Sequence, residues 1–523
     1  MLLSDLPEAV LAEVVARVPG DKGPAMAACR ALRAAGAGAV RRARWEALGG
    51  ADAAGGRGEL PQLARLWRAD RAEVRGPARL DERPWVGAAV VPALAAALGG
   101  RLRALALVRV ELDGPVPAGS LPALRELAVV DVALARAARH RPLPSVACAV
   151  EAAPALRRLR LEGLDFERLD LVPFAGLKEV RLRTGCLFDA AAWRPHFPSG
   201  LERAALATCR QRVCLGGLWR CLGTLARLEL RVWWSPWDRH PPFLPVPLAG
   251  PLAGAAALRG LRLDVGLGRR VDGLPAALPA LEELAVRGSH ELACALRAAA
   301  GGGFPRLRSL RALRAGLSRS MLLHGVAAGT FGAPPTTQIG STLAPLPLRL
   351  DALERITLEA AAPQGRALSL LAAACPRLRH ARVSAAARHV TESLRHARRG
   401  GEGEGGAGWA AFLPARALET LDLRGLDGLD QDLPPQEALA GAWPRLRALR
   451  LVRCGGVRAA DLAAAAPALE RVTLHACSGA APWRRSPHRG LRGHQAPGEA
   501  AAIRAALPAG VSALEAVACW GVA

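Results

Sequence analysis

Residues 444–454 read Pro-Arg-Leu-Arg-Ala-Leu-Arg-Leu-Val-Arg-Cys, and this stretch decides the fold. Its leucines, Leu446, Leu449 and Leu451, follow the pattern Leu-x-x-Leu-x-Leu. The alternation at the end of that pattern is typical of a short strand with one buried face. Pro444, two residues before the first leucine, fits a turn that enters the strand. The stretch therefore predicts a unit made of one turn and one half-buried strand.

The same pattern recurs from about residue 101 onward, at the spacing of a repeat protein. Full copies begin at Leu102, Leu156, Leu225, Leu258, Leu418 and Leu446. Looser copies, in which Val, Ile or Ala replaces a leucine, begin at Leu124, Leu177, Leu201, Leu281, Leu353 and Leu469. In the regular parts, neighbouring copies begin 21 to 24 residues apart. One such unit cannot bury its leucines alone, so the units are expected to stack on each other.

This repeat resembles the leucine-rich-repeat superfamily, whose ninth position usually holds Asn or Cys. Cys209, Cys454 and Cys477 fall at that position, and the Cys-Pro-Arg-Leu phrase at 375–378 resembles the cysteine-containing subclass. The resemblance implies an α/β leucine-rich-repeat solenoid, with parallel strands on the concave face and helices outside. Alanine-rich stretches such as 459–466 are expected to supply the returning helices. The cysteine-containing subclass is common in ubiquitin-ligase receptors.

The N-terminal segment carries an apolar stripe at helical spacing after a Leu-Pro pair. It resembles an F-box, a motif that docks on a Skp-type adaptor and, through it, on a cullin scaffold. The residues that the resemblance assigns to adaptor binding are Leu6, Pro7, Leu11, Val14, Val15, Val18 and Pro19. The alternative is an ordinary pair of capping helices that covers the first repeat.

These features predict three parts. Residues 1–48 form a small F-box-like helical domain, and residues 49–100 form a helical linker. Residues 101–523 form the solenoid, with insertions near 233–254, 315–350 and 385–412.

The composition argues against several classes of protein. The chain has 70 basic and 46 acidic residues, for a net charge of +24, but its arginines are spread along the whole length. Aromatic residues make up 4% of the chain, too few for base stacking, so a nucleic-acid partner is not expected. The N-terminus lacks the basic region of a signal peptide, and the longest apolar run, 86–100, is too short to span a bilayer. We expect no membrane partner and a cytoplasmic or nuclear protein, with a ciliary or cytoskeletal location as the alternative.

No catalytic pattern stands out. The sequence has no phosphate-binding loop, no His-Glu-x-x-His and no nucleophile elbow. Cys209, Cys214 and Cys221 could be read as metal ligands, but their spacing is irregular and no His pair lies nearby. The sequence thus predicts a protein that is not an enzyme and that needs no metal and no cofactor.

The predicted binding surface is the concave face, toward which alternate strand residues point. The candidates for substrate binding on consecutive repeats are Arg158, Arg160, Arg181, Arg183, Arg227, Arg231 and Arg262. An arginine stripe suits an acidic or phosphorylated protein segment. The alternative is a solvated face that is rich in arginine because the whole composition is.

A tryptophan-rich segment interrupts the repeats and is a second candidate for substrate binding. It contains Trp233, Trp234 and Trp237. Tryptophan is a favoured interface anchor, although these side chains could instead fold back on the edge of the repeats.

Two functions remain open at this point. The first is a substrate-recognition subunit of an SCF-type ubiquitin ligase. The second is a leucine-rich-repeat interaction or structural scaffold without a ligase role, in a cytoskeletal or ciliary assembly.

Overall fold

The computed structural model describes residues 42–46, 70–75, 85–86, 100–108, 110–111, 119–130, 153–164, 168–184, 194–208, 216–232, 246, 248–265, 271–315, 348–360, 365–385, 409–426, 439–455, 457–477, 498–517, 519 and 522. The chain divides into two compact units, Met1–His240 and Pro241–Ala523.

The first unit is built from short parallel strands, and the strands of its main sheet pair in the order of the sequence. Its strands are β1 (Arg42–Glu46), β2 (Arg71–Arg75), β3 (Trp85–Val86), β4 (Ala104–Val108), β5 (Val110–Glu111), β6 (Glu126–Val130), β7 (Arg158–Leu164), β8 (Arg168–Asp170), β9 (Glu179–Thr184), β10 (Arg194–His196), β11 (Arg203–Thr208) and β12 (Arg227–Val232). The main sheet has the order β1-β2-β4-β6-β7-β9-β11-β12, all parallel. Strand β3 pairs with β5, and β8 pairs with β10, as two small separate ladders. A short 3-10 helix, Gly216–Arg220, precedes β12.

The second unit repeats the plan with more helix between its strands. Its strands are β13 (Gly260–Val265), β14 (Glu283–Arg287), β15 (Ser309–Leu313), β16 (Arg355–Ala360), β17 (His380–Ala385), β18 (Thr420–Arg424), β19 (Ala448–Val452), β20 (Arg471–His475) and β21 (Ala513–Val517). They pair in sequence order, and every pairing is parallel. The helices are α1 (Ala249–Leu252), α2 (Ser289–Ala300), α3 (Gly365–Ala373), α4 (Ala459–Ala465) and α5 (Glu499–Ala506), with a 3-10 helix at Trp409–Phe412. A parallel sheet with one main strand per repeat confirms the predicted leucine-rich-repeat fold.

The core follows the predicted leucine pattern in each unit. Leu446, Leu449 and Leu451 are buried, whereas Ala448, Arg450 and Val452 on the same strand are exposed or half-buried. Leu449 lies in register with Leu421 on β18 and with Val472 on β20, so each apolar side chain packs between its counterparts in the adjacent repeats. Stacking of repeats therefore supplies the burial that one repeat cannot.

The predicted turns are also found where a proline precedes the first leucine. The N–H of Leu446 donates to the Trp443 carbonyl, and the N–H of Leu378 donates to the Cys375 carbonyl, so each turn closes around its Pro-Arg pair. In the first of these turns Trp443 is fully buried, and its Nε1 donates to the Phe412 carbonyl at 2.9 Å. The turns thus link one repeat to the one before it.

The N-terminal part differs from the sequence-based expectation where it is described. Residues 1–41, including the predicted adaptor-binding residues, lie outside the described part of the chain. Residues 42–46, expected in the F-box-like helical domain, form strand β1. The expectation of linker helices is wrong at Arg71–Arg75, which form strand β2 and pair with β1 and β4. Burial of Ala72 and Val74 on one side of that strand is the physical reason.

Among the described residues, no helix is both long and apolar enough to cross a lipid bilayer.

Candidate functional site

The candidate site is the side of each sheet opposite the leucine core. We call it the exposed face; it consists of the third, fifth and seventh residues of each repeat, counted from the first leucine. On β7 these residues are Arg158, Arg160 and Glu162, which alternate with the buried Leu159 and Leu161. Strand β7 therefore presents three side chains to solvent, as the predicted location of the arginine stripe requires.

In the first unit, strand register places a carboxylate on each side of Arg158. Its neighbours across the sheet are Glu126 on β6 and Glu179 on β9. Arg158 Nη1 lies 2.7 Å from Glu126 Oε1, and Arg158 Nε lies 3.7 Å from Glu179 Oε2. The charge of Arg158 is thus matched inside the protein.

The other arginines predicted for substrate binding in this unit are matched in a similar way. Arg160 pairs with Glu162 at 2.8 Å, Arg181 pairs with Glu179 at 3.5 Å, and Arg231 pairs with Glu229 at 2.6 Å. Arg183 and Arg227 also have interaction partners, and so does Arg262, which lies on β13 in the second unit. The stripe is present on the exposed face, but a ligand has to compete with carboxylates for it.

On the exposed face of the second unit, ion pairs match charges near β14 and near β18. Arg287 on β14 pairs with Asp264 on β13 at 2.8 Å. Asp422 on β18 receives two hydrogen bonds from Arg424, at 2.9 and 2.8 Å, and lies 3.6 Å from Arg382 on β17. The hydrogen bonds to Asp422 raise the pKa of Arg424.

Between these two places, the exposed face of three consecutive strands has a different character. We call it the β15–β17 block, and it consists of Ser309, Arg311, Arg355, Thr357, His380 and Arg382. Register places Arg311 between Ala285 and Thr357, and Arg355 between Ser309 and His380. Neither arginine has a carboxylate beside it in register, and neither makes an ion pair with any described residue.

The sequence-based stripe missed this block for a clear reason. It followed the regular copies only as far as Arg262, on the first strand of the second unit. The repeat that begins at Leu307 is a weak copy, and residues 316–347 separate it from the repeat at Leu353. The same counting of third and fifth positions, applied to the repeats at Leu307 and Leu353, would have placed Arg311 and Arg355 on the face.

The predicted tryptophan site, with Trp233, Trp234 and Trp237, lies outside the described part of the chain. The ends of the predicted insertions do belong to the repeats. Trp409 is buried beside Trp443, with ring centroids 5.6 Å apart and nearly perpendicular rings, and Leu350 is buried before β16.

The cysteines at the ninth repeat position have a structural role. Cys454 Sγ donates to the Val452 carbonyl at 3.5 Å, and Cys477 Sγ donates to the Leu451 carbonyl at 3.3 Å. Cys519 takes the same place after β21, donating to the Leu474 carbonyl at 3.5 Å. The sequence analysis missed it because that repeat begins with Val511 instead of a leucine.

The pKa values of several buried thiols are raised, whereas the hydrogen bond with Cys477 lowers the pKa of Cys519 to about 7. The hydrogen bond to Cys519, followed by burial, raises the pKa of Cys477. Burial raises the pKa of Cys375 to about 12 and that of Cys221 to about 11. Cys221 donates to the Leu218 carbonyl at 3.2 Å, and within the described ranges no group of His, Cys, Asp and Glu is arranged to hold a metal. Cys209 and Cys214 lie outside those ranges.

Comparison with known proteins finds similar chains among solved structures. No protein-family model and no curated protein matches the chain. Among solved structures, a chain in the crystal structure of the TLR13–ssRNA13 complex is 13% identical, with a TM-score of 0.40. The match covers 79% of this chain and 59% of that one, so this chain spans less than two thirds of its length.

Proposed function

We propose that this chain is the substrate-recognition subunit of an SCF-type ubiquitin ligase. Its N-terminal segment binds a Skp-type adaptor, and its repeats bind a protein substrate. The leucine-rich-repeat fold supports the general function of a protein-interaction scaffold. The assignment to a ubiquitin ligase rests on the F-box-like residues of the N-terminus and on the resemblance of the repeats to the cysteine-containing type.

The observation that supports substrate binding is the exposed face. Its side chains come from consecutive strands about 4.8 Å apart, so a partner that lies across the strands meets a new set of three residues at each step. Salt bridges such as Arg158–Glu126 are exposed and cost little to exchange for a partner's charges, since exposed pairs contribute roughly 0–1 kcal/mol. The arginine stripe and the segment with Trp233, Trp234 and Trp237 remain the predicted contacts of the first unit.

The ligase assignment is tested at the N-terminus. The double variant Leu6→Ala with Pro7→Ala should abolish co-purification of a Skp-type adaptor and a cullin, because these residues begin the predicted docking stripe. A matched control is Leu2→Ala with Leu3→Ala, which removes two nearby apolar side chains outside the motif. Circular dichroism of both variants should match that of the parent protein, because the repeats are not changed.

Two results would decide against the ligase. One is adaptor recovery that the Leu6 and Pro7 substitutions leave unchanged, and the other is a parent protein that recovers no adaptor or cullin at all. Either result, with the repeats folded, would favour the scaffold without a ligase role.

A further inference from the structure

We propose that the β15–β17 block is a phosphate-recognition site for a phosphorylated segment of a protein partner. This inference rests on the proposed function, because it names the chemistry of the substrate that the repeats bind. It moves the site of anion recognition from the stripe of the first unit to three strands of the second.

The first argument is the arrangement of cations and hydroxyls. In register, the third positions of the block are Ser309, Arg355 and His380, and the fifth positions are Arg311, Thr357 and Arg382. Arg311 and Arg355 are therefore diagonal neighbours, about 8 Å apart at the backbone, given strand spacings of about 4.8 Å and a rise of about 3.3 Å per residue. Two exposed arginine side chains at that separation can converge on one anion.

The second argument is that these two arginines keep their charge for a ligand. Arg158 and Arg181 in the first unit have carboxylates at 2.7 and 3.5 Å. Arg311 and Arg355 make no such pair with any residue in the described ranges, and their neighbours in register are Ala285, Thr357, Ser309 and His380. A phosphoryl group therefore does not have to displace a carboxylate from either guanidinium group.

The third argument is the rigidity of the edge beside them. His380 Nδ1 lies 2.9 Å from Thr420 Oγ1, and Arg382 lies 3.6 Å from Asp422, so β18 fixes the β17 side of the block. Ser309 is the register partner of Arg355, and Thr357 is the register partner of Arg311, so each arginine has a hydroxyl beside it on the next strand. Both hydroxyls can donate to phosphate oxygens. A phosphoryl group carries a charge of about −1.5 to −2 and three acceptor oxygens, which suits two guanidinium forks and two hydroxyl donors.

The surroundings limit the site to one phosphoryl group. Glu359 is the next residue after Thr357 on the exposed face of β16. Glu283 on β14 is the register partner of Ser309. These carboxylates would repel the successive phosphates of a nucleic acid, whereas a single phosphorylated side chain can enter between Arg311 and Arg355. The exposed face of β15–β17 also offers no Phe or Trp for base stacking. A phosphorylated protein segment is therefore the partner that the charges fit.

The test uses the full-length chain and a degenerate peptide library fixed at a central phosphoserine, with the matching serine library as reference. At about 0.15 M salt, where surface charges are screened beyond about 8 Å, the phosphorylated library should be captured at least tenfold better. The double variant Arg311→Gln with Arg355→Gln should remove that preference. Inorganic phosphate at high concentration should compete with the library.

The matched control is Arg203→Gln with Arg471→Gln. It removes the same two charges from exposed positions on the same kind of face, at strands β11 and β20. It should keep the preference within about twofold, because neither arginine lies in the β15–β17 block. Twofold corresponds to about 0.4 kcal/mol at RT ≈ 0.59 kcal/mol. Thermal unfolding of both variants checks that the repeats stay folded.

Several results would overturn the proposal. They are equal capture of the two libraries, equal loss in both double variants, and a polyuridine RNA that binds through Arg311 and Arg355 more tightly than the phosphorylated library. The last result would make the block an RNA site. Adaptor co-purification is read separately and should be unchanged in the Arg311 and Arg355 variant, so failure of this site is distinguishable from failure of the ligase assignment.

Discussion

At the scale of single residues, the leucines and the ion pairs contribute to stability very differently. Full burial of a leucine side chain is worth about 1.5–3 kcal/mol. The ion pairs at the strand entrances, such as Lys178–Glu202 at 3.1 Å and Arg447–Glu470 at 3.7 Å, are exposed at both partners. Exposed pairs contribute about 0–1 kcal/mol, so the leucine ladder, and not the abundant charge, stabilises the fold.

Leu449→Ala tests this ladder. Leu449 is 2% exposed and lies between Leu421 and Val472, so its truncation should destabilise the protein by about 2–5 kcal/mol in urea unfolding. Arg450→Ala, on the exposed face of the same strand, is the control and should change the free energy of unfolding by less than about 0.5 kcal/mol. Equal effects of the two substitutions would mean that the assigned faces of β19 are exchanged.

At the scale of elements, the sequence predicts the strands well and the pairing of charges poorly. In Leu-x-Leu, the two leucines are the buried residues of the strand and the residue between them is exposed. Strands such as β7 and β19 can therefore be located from a few residues of sequence. Strand β2 was missed because its buried side is Ala72 and Val74, and alanine in that position is as typical of a helix. A pair within one strand, such as Arg160–Glu162, can be read from one repeat. A pair across strands, such as Arg158–Glu126, depends on the register between repeats of unequal length, which no single repeat contains.

The C-terminal end of α2 offers a test of how closely one repeat approaches the next. A Cβ added at Gly303 would overlap the Ala276 carbonyl oxygen and would lie 2.8 Å from the Ala298 carbonyl oxygen. Because both contacts are backbone atoms, Gly303→Ala should destabilise the protein by about 1–3 kcal/mol, the usual cost of overpacking. The measurement is the urea midpoint.

Gly301→Ala is the matched control two residues earlier. Its added Cβ would meet no atom nearer than 3.5 Å, and its φ of −75° suits alanine. A neutral or slightly stabilising effect is expected. If Gly303→Ala were as neutral as this control, the segment around Ala276 would have to lie farther from α2 than the structure places it.

At the scale of the whole molecule, each unit is a one-dimensional array in which a repeat contacts its neighbours. The sheet of the second unit runs from β13 to β21 in sequence order, with each strand paired to the next. Stability in such an array is approximately a sum of repeat and nearest-neighbour terms. Energetic coupling between two substitutions should therefore depend on how many strands separate them.

Double-mutant cycles within the second unit measure this coupling. Leu261→Ala and Leu449→Ala lie six strands apart, about 29 Å along the sheet at about 4.8 Å per strand, and their effects should add within about 0.5 kcal/mol. Leu449→Ala and Val472→Ala lie in register on adjacent strands and should show a coupling of about 0.5–3 kcal/mol. Coupling of equal size in both cycles would contradict the nearest-neighbour picture.

The buried cysteines also determine how the protein behaves after it unfolds. In the folded chain, Cys221, Cys294, Cys375, Cys454, Cys477 and Cys519 are free thiols buried in the core. Unfolding exposes them and lowers the raised pKa values of Cys221, Cys294, Cys375 and Cys477 to about 8.5, so that thiolates form near neutral pH and the thiols oxidise to mismatched disulfides in air. Heat denaturation without a reductant then becomes a one-way process, whose progress depends on the rate of unfolding more than on its equilibrium. The same side chains that close the turns of the native repeats thus make a reducing buffer a condition for refolding.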